Sequence, residues 1–150
     1  MEKRSGNSPR HKKPELEWVL HVLQRTEKIF GYEPLYDLTN ENVEKLKSAL
    51  EIPFVSYMGE EKYKTLSKKA AAMLYLVSKN HAFGNGNKRT AVILMLLLLY
   101  ENKKWVGFSA KELYKLSIEV TADRSRDIDE AINSLAEIIE ANLEDFNLKK

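Results

Sequence analysis

Apolar residues recur along the chain at helical steps. Leu66, Ala70, Met73, Leu74 and Val77 return every three or four residues between 64 and 79, which places them on one face of a helix opened by Thr65 or Ser67. From Thr90 to Tyr100 the chain is apolar almost all the way round, and only a helix enclosed by its neighbours reads like that. An earlier helix begins at Pro14, carries Leu16, Val19, Leu20, Leu23 and Ile29 or Phe30, and stops at Gly31. A second is capped by Thr39 or Asn40 and has a modest stripe of Val43, Leu46 and Leu50. Ser109-Ala110-Lys111-Glu112 has the spacing of a capping box and opens a helix with Leu113, Leu116, Ile118 and Val120. The last helix starts near Asp127 and uses Ile128, Ile132, Leu135, Ile138, Ile139 and Leu143.

Between these helices, residues 52–59 (Ile-Pro-Phe-Val-Ser-Tyr-Met-Gly) combine β-favouring and aromatic residues with a proline and a terminal glycine, which predicts an extended flap and not a helix. Trp105, Val106 and Phe108 are expected to cover the end of the apolar helix. There is no repeat of fixed period and no convincing series of strands. The predicted class is all-α, a domain of about six helices with a small extended flap.

Length and composition narrow the picture. A chain of 150 residues, 43% hydrophobic, suits one domain with a real core. It has no cysteine, which removes disulfides, thiolate catalysis and zinc–thiolate sites and makes a reducing compartment the simpler expectation. The longest apolar run is about half the roughly 20 residues that a membrane helix needs, and the first thirteen residues lack the apolar centre of a signal peptide. A soluble cytoplasmic protein without membrane contact is therefore expected.

The net charge of +2 is too balanced to argue for nucleic acid. The basic excess is local: Lys3, Arg4, Arg10, Lys12 and Lys13 lie among Ser, Asn, Gly and Pro in residues 1–13. That composition reads as a disordered, solubilising arm ahead of a helical domain spanning 14–150, with contact to RNA, DNA or an acidic partner as the alternative.

Chemistry concentrates in residues 81–89, His-Ala-Phe-Gly-Asn-Gly-Asn-Lys-Arg, between the two strongest helical segments. Gly84 and Gly86 allow a tight loop that aims backbone N–H groups at one spot. Those donors, the positive end of the following helix, Lys88 and Arg89 together describe an anion site suited to phosphates. Cations at a helix N-terminus are unfavourable unless an anion is bound, so a purely structural connection would not select them. His81 has the one side chain of the loop whose pKa lies near neutrality, and it is suited to take a proton from an attacking hydroxyl. Phe83 reads as an apolar pin. Other phosphate signatures fit less well: there is no Gly-x-x-x-x-Gly-Lys-Ser/Thr, and Gly84-x-Gly86 lacks the third glycine and preceding strand of a dinucleotide site.

The run His81-x-Phe83-x-Asn85-Gly86-Asn87-Lys88-Arg89 resembles the signature of the Fic/Doc family, most closely its Doc branch, the death-on-curing toxins. Residues 59–63, 69–72 and 90–91 are also similar to Doc-type sequences, so the likeness runs from about Leu16 to Asp123. It implies a compact helical domain with a β-hairpin flap. It further implies that His81 is the general base on a target-protein hydroxyl, that Gly84, Gly86 and Asn87 help cradle the phosphates of ATP, and that Lys88 and Arg89 bind them. Most Fic enzymes transfer AMP and have glycine where this chain has Lys88, whereas Doc-type toxins have lysine and transfer a terminal phosphate. Val55, Ser56 and Tyr57 in the flap are the expected docking edge for the target.

Two positions depart from the family pattern. Asn85 stands where the family usually has Asp or Glu as a magnesium ligand, and an amide oxygen holds this hard cation less firmly than a carboxylate. Val92 stands where AMP-transferring members keep a second arginine. No Ser/Thr-x-x-x-Glu-Gly/Asn stretch like the built-in inhibitory helix of some members is present, so restraint would come from a separate antitoxin. The leading expectation is an ATP-dependent, Doc-like protein phosphotransferase acting on a Ser or Thr of a cytoplasmic target such as a translation factor. An AMP transferase on the same fold is the alternative, followed by a non-catalytic nucleotide- or nucleic-acid-binding module.

Overall fold

The computed structural model describes residues 11–30, 40–80 and 87–146. Among these residues six α-helices dominate: α1 (Leu16–Phe30), α2 (Asn40–Glu51), α3 (Leu66–Asn80), α4 (Asn87–Glu101), α5 (Ala110–Ala122) and α6 (Ile128–Ala141). The described residues also hold two short antiparallel pairs: β1 (Ser56–Tyr57) with β2 (Glu60–Glu61), and β3 (Lys104–Val106) with β4 (Leu143–Asp145). The all-α class with a small hairpin is thus the observed one.

The centre is the α3–α4 pair. Ala70, Ala71, Ala72, Met73 and Leu74 on α3 and Ala91, Leu94, Met95, Leu98 and Leu99 on α4 are all without exposure. The small side chains of Ala70, Ala71 and Ala72 let neighbouring helices approach α3 closely, and α4, α5 and α6 all pack against it. From α6, Ile132, Leu135, Ala136 and Ile139 enter this core, while α1 adds Val19 and Leu23 and α2 adds Leu46, Ala49 and Leu50. Ser67 Oγ on α3 donates to Glu140 Oε1 on α6 at 2.5 Å, a polar tie beside the apolar contact.

Local signals set the helix limits. Thr65 Oγ1 accepts from the Lys68 amide at 3.1 Å, so Thr65 and not Ser67 opens α3. Ser109 and Glu112 form both halves of the anticipated capping box, at 3.1 and 2.8 Å. Asp127 caps α6 by accepting from the Glu130 amide at 3.0 Å. Pro14 is buried just ahead of α1 and does not begin the helix itself; Gly31 and Thr39 lie outside the described residues.

Three expectations need correction. Ile52–Phe54 forms a 3₁₀ turn, with Pro53 in the first-turn position that tolerates its missing N–H, so extended backbone begins only after it. A second strand pair exists: β3 and β4 meet in the register Lys104↔Asp145, Trp105↔Glu144, Val106↔Leu143, which takes Leu143 out of the last helix and into a strand. Ile118, Ile128 and Ile138 are exposed and do not share the inward stripes. Of the basic stretch 1–13, residues 1–10 lie outside the described residues; the Lys12 amide donates to Asn102 Oδ1 at 2.7 Å, Asn102 Nδ2 donates back to the Lys12 carbonyl at 2.9 Å, and Lys13 pairs with Glu51.

The end of α4 remote from residues 81–86 is pinned by rings. Tyr100 lies 5.7 Å from Trp18 of α1 and 4.9 Å, edge-on, from Phe146, which in turn lies 5.6 Å from Trp105 of β3. Aromatic contacts of this kind add to the burial energy.

Candidate active site

Residues 81–86 leave α3 at Asn80 and enter α4 at Asn87. His81, Gly84, Asn85 and Gly86 lie outside the described residues. The structure therefore gives the two helix ends that bracket the motif. Asn87 is the first residue of α4, followed by Lys88, which is exposed, and Arg89, which is half-buried. The first turn of α4 carries no acidic residue. Its leading amides have no partners within the helix, so this terminus has donors and two cations where most helices place a carboxylate.

The end of α3 that delivers the chain to the motif is held from the side. Lys79 Nζ donates to the carbonyls of Val120 and Thr121, each at 3.4 Å, and to that of Asp123, so it satisfies the C-terminal carbonyls of α5. One turn earlier, Tyr75 Oη donates to Asp123 Oδ2 at 2.5 Å, and Asp123 Oδ1 also accepts from Ser125 Oγ at 2.8 Å. Burial, the hydrogen bond to Asp123 and that carboxylate's charge push the Tyr75 hydroxyl up to about 12. The bonds from Tyr75 and Ser125 in turn hold the Asp123 carboxyl below its usual range. At this same end of the helix pair, Ser78 Oγ and Thr90 Oγ1 are buried and have no hydrogen-bond partner among the described residues.

The flap is a tight hairpin in the register Ser56↔Glu61, Tyr57↔Glu60, with the Lys62 amide donating to the Val55 carbonyl at 3.0 Å. Met58 (φ +53°) and Gly59 (φ +82°) occupy its two-residue turn, both left-handed, as the twist of such hairpins favours. Glycine adopts this freely; methionine does so at a cost. Val55, just ahead of β1, and Ser56 and Tyr57 on it, the predicted docking residues, are exposed, with Tyr57 at 78% and Met58 at 86%.

Two clefts lie beside these elements. One, of about 620 Å³, is lined by Lys62 and Tyr63 at the exit of the hairpin, Leu76 near the end of α3, and residues 126–129 at the start of α6. The other, of about 330 Å³, lies between α5 and α6 against Tyr75, with Glu119, Asp123 and Glu130 among its polar lining. Among the described residues no cluster of three His, Cys, Asp or Glu side chains is placed to hold a metal ion.

A family model for the Fic/DOC family matches residues 8–99. The chain belongs to the Fic/DOC family. Comparison with curated proteins and with solved structures found no match. The matched span contains α1 to α3, the β1–β2 hairpin, residues 81–89 and nearly all of α4; it starts earlier than the resemblance noted from the sequence and stops before α5. Members of the Fic/DOC family are in general transferases that modify proteins with phosphate or AMP.

The motif by itself gives no sign of two features around it. The Tyr75–Asp123 and Lys79 contacts join residues more than 40 positions apart, and no local pattern announces them. Lys69, by contrast, carries a signal that could have found it: it falls three residues after Leu66 and four before Met73, on the inward face, and it is fully buried. No helix among the described residues is long and apolar enough to cross a membrane.

Proposed function

We propose that this Fic/DOC protein is a Doc-like phosphotransferase that moves the terminal phosphate of ATP to a Ser or Thr hydroxyl of a cytoplasmic target protein, a translation factor being the family's precedent. The observation that carries the reading is the first turn of α4, which has no carboxylate and carries Lys88 and Arg89 directly after residues 81–87 of the motif. A helix N-terminus with two cations suits the phosphates of a nucleotide. Lys88 is exposed and able to reach a phosphate at the position where AMP-transferring members have a glycine.

In this mechanism His81 takes the proton of the target hydroxyl as its oxygen forms a bond to the γ-phosphorus. The bond from that phosphorus to the bridging oxygen breaks, and ADP leaves with the electron pair. The backbone of Gly84, Gly86 and Asn87, with Lys88 and Arg89, holds the phosphates and offsets their charge. Magnesium chemistry, where bound, would supply further charge neutralisation. The neutral amide of Asn85 fits that ion poorly. The β1 edge, Val55 to Tyr57, would take an extended stretch of the target by strand addition, which needs only free backbone groups. Control by a separate antitoxin accords with the absence of an inhibitory motif.

The test is a pair of labelling reactions with cell lysate. ATP labelled at the γ-phosphorus is expected to label a protein band, and ATP labelled at the α-phosphorus is expected to leave it blank. Label from the α position would establish AMP transfer instead. Label from neither, with no ATP bound in calorimetry, would leave a binding module.

A further inference from the structure

Lys69 is a cation with no solvent exposure, seated among the alanines of α3. Burying a charge in this way is unfavourable unless it is paired and hydrogen-bonded. Three of its partners come from the segment around the hairpin. Nζ donates to the Tyr63 carbonyl at 2.7 Å and to Glu61 Oε1 at 3.1 Å, and it lies 5.7 Å from the centroid of the Phe54 ring. Phe54 precedes β1, Glu61 belongs to β2 and Tyr63 follows it, so one ammonium group touches the hairpin's entry, its second strand and its exit.

Apart from this tie and the buried Pro53 and Tyr63 that flank it, the hairpin has little to seat it. Its strands have two residues each, Tyr57 and Met58 at its tip are exposed, and the Glu60–Lys64 and Lys62–Asp129 ion pairs are solvent-exposed at both partners. Exposed pairs contribute little, and an isolated hairpin of this size does not persist in water.

We propose that Lys69 is a positioning residue that seats the β1–β2 hairpin on α3, and so sets where a target segment added to β1 lies relative to the α3–α4 pair. The functional half of this rests on the reading of the hairpin as the target-docking edge; the seating half does not. Lys69, with no exposed surface, has none to offer ATP or the transferred group. Its loss acts through the hairpin: target engagement weakens, while ATP binding and the maximal rate stay.

The experiment uses the full chain as wild type, Lys69→Met, Lys69→Arg and Glu61→Gln. Lys69→Met keeps the length of the side chain and leaves Glu61, which is partly exposed, free to turn to water. Glu61→Gln weakens the contact while leaving the core as it is. Hydrogen exchange of the Lys62 amide and its neighbours is expected to speed by about tenfold in Lys69→Met, with α3 and α4 amides unchanged. Glu61→Gln should shift the same amides less, and Lys69→Arg should restore part of the protection.

Label transfer from γ-labelled ATP to lysate protein should need about tenfold more lysate to reach the same plateau in Lys69→Met, with the ATP dissociation constant from calorimetry unchanged. Unchanged hairpin exchange in both Lys69→Met and Glu61→Gln would overturn the seating role. Faster exchange with an unaltered lysate dependence would overturn the positioning role. A wild-type protein that labels nothing would remove the phosphotransferase reading and the docking role with it, and the exchange data would then decide the seating role alone.

Discussion

Among the described residues most side chains of α3 are buried and those of α4 are buried or half-buried except Lys88, whereas the hairpin that leans on them puts Tyr57 and Met58 almost wholly into solvent. The helix pair owes its shape to burial, at roughly 25 cal/mol per Å² of apolar surface removed from water. The hairpin owes its shape to a turn, a few backbone bonds and one buried lysine. Changes in the first region should be felt chiefly as stability. Changes in the second should be felt as altered contacts with whatever the protein touches. Residues 81–86 connect the two helices of this pair in the chain.

The sharpest way to break this comparison is His81→Ala. Loss of a general base is expected to slow label transfer by about 10²–10⁴-fold, while the ATP dissociation constant and the urea midpoint stay at wild-type values. A fall in stability of matching size would mean that His81 belongs to the packing and not to the chemistry. Next in size is Leu94→Ala, in the fully buried face of α4. Removing that side chain should lower the unfolding free energy by about 2–5 kcal/mol, read from urea denaturation. A loss within experimental error would show that the pair is less enclosed than its burial indicates.

The Tyr75–Asp123 contact supplies a pH test of the clamp beside the motif. The tyrosine's folded-state value is raised from 10.0 to about 12, so its share of stability is complete below 10 and lost as pH rises toward 12. Asp123 is held low, so its share is present above the ordinary carboxylate range and lost as pH falls through its depressed value. Denaturation midpoints of wild type should therefore fall more steeply than those of Tyr75→Phe over the alkaline interval. Parallel curves would mean that the contact does not persist in solution.

The smallest effect is expected at the hairpin tip. Met58→Asn places there a residue that tolerates φ near +53° better. It should stabilise the hairpin by about 0.5–1 kcal/mol, read as slower exchange of the Lys62 amide, with the global midpoint unchanged. If the global midpoint rises by the same amount, hairpin and helices unfold as one unit and the distinction between them is too strong.

A related contrast, between local and distant causes, separates the features that are legible in the sequence from those that are not. Thr65, Ser109 and the all-apolar run of α4 act within a few positions of themselves, and each is readable for that reason. Ile52–Phe54 reads as extended because its β-favouring side chains outweigh Pro53, which in fact opens a 3₁₀ turn. The β3–β4 pair leaves no mark because three-residue strands have no periodicity and their partners lie 41 to 37 positions apart in the register Lys104↔Asp145 to Val106↔Leu143. Ile118, Ile128 and Ile138 look inward on hydrophobicity alone, which does not say which apolar residues of a crowded helix remain outside. At the site, the residue types in the motif and the cations of α4 are legible, but the clamp by Lys79 and Tyr75 is not, since it depends on how α5 comes to lie beside α3.

The β3–β4 pairing carries a further consequence for how such a chain can vary. It brings the residues just after α4 against those just after α6, so α5 and α6 form an excursion that leaves and returns at one place. The Gly107 amide bonded to the Asn142 carbonyl and the Phe146 amide bonded to the Lys103 carbonyl, each at 2.9 Å, close its neck like a drawstring. The family match ends at residue 99, just ahead of this neck. A pouch tied in this way can change its outer face, where Tyr114, Ile118 and Ile138 meet solvent, without tugging on the helices that carry the motif.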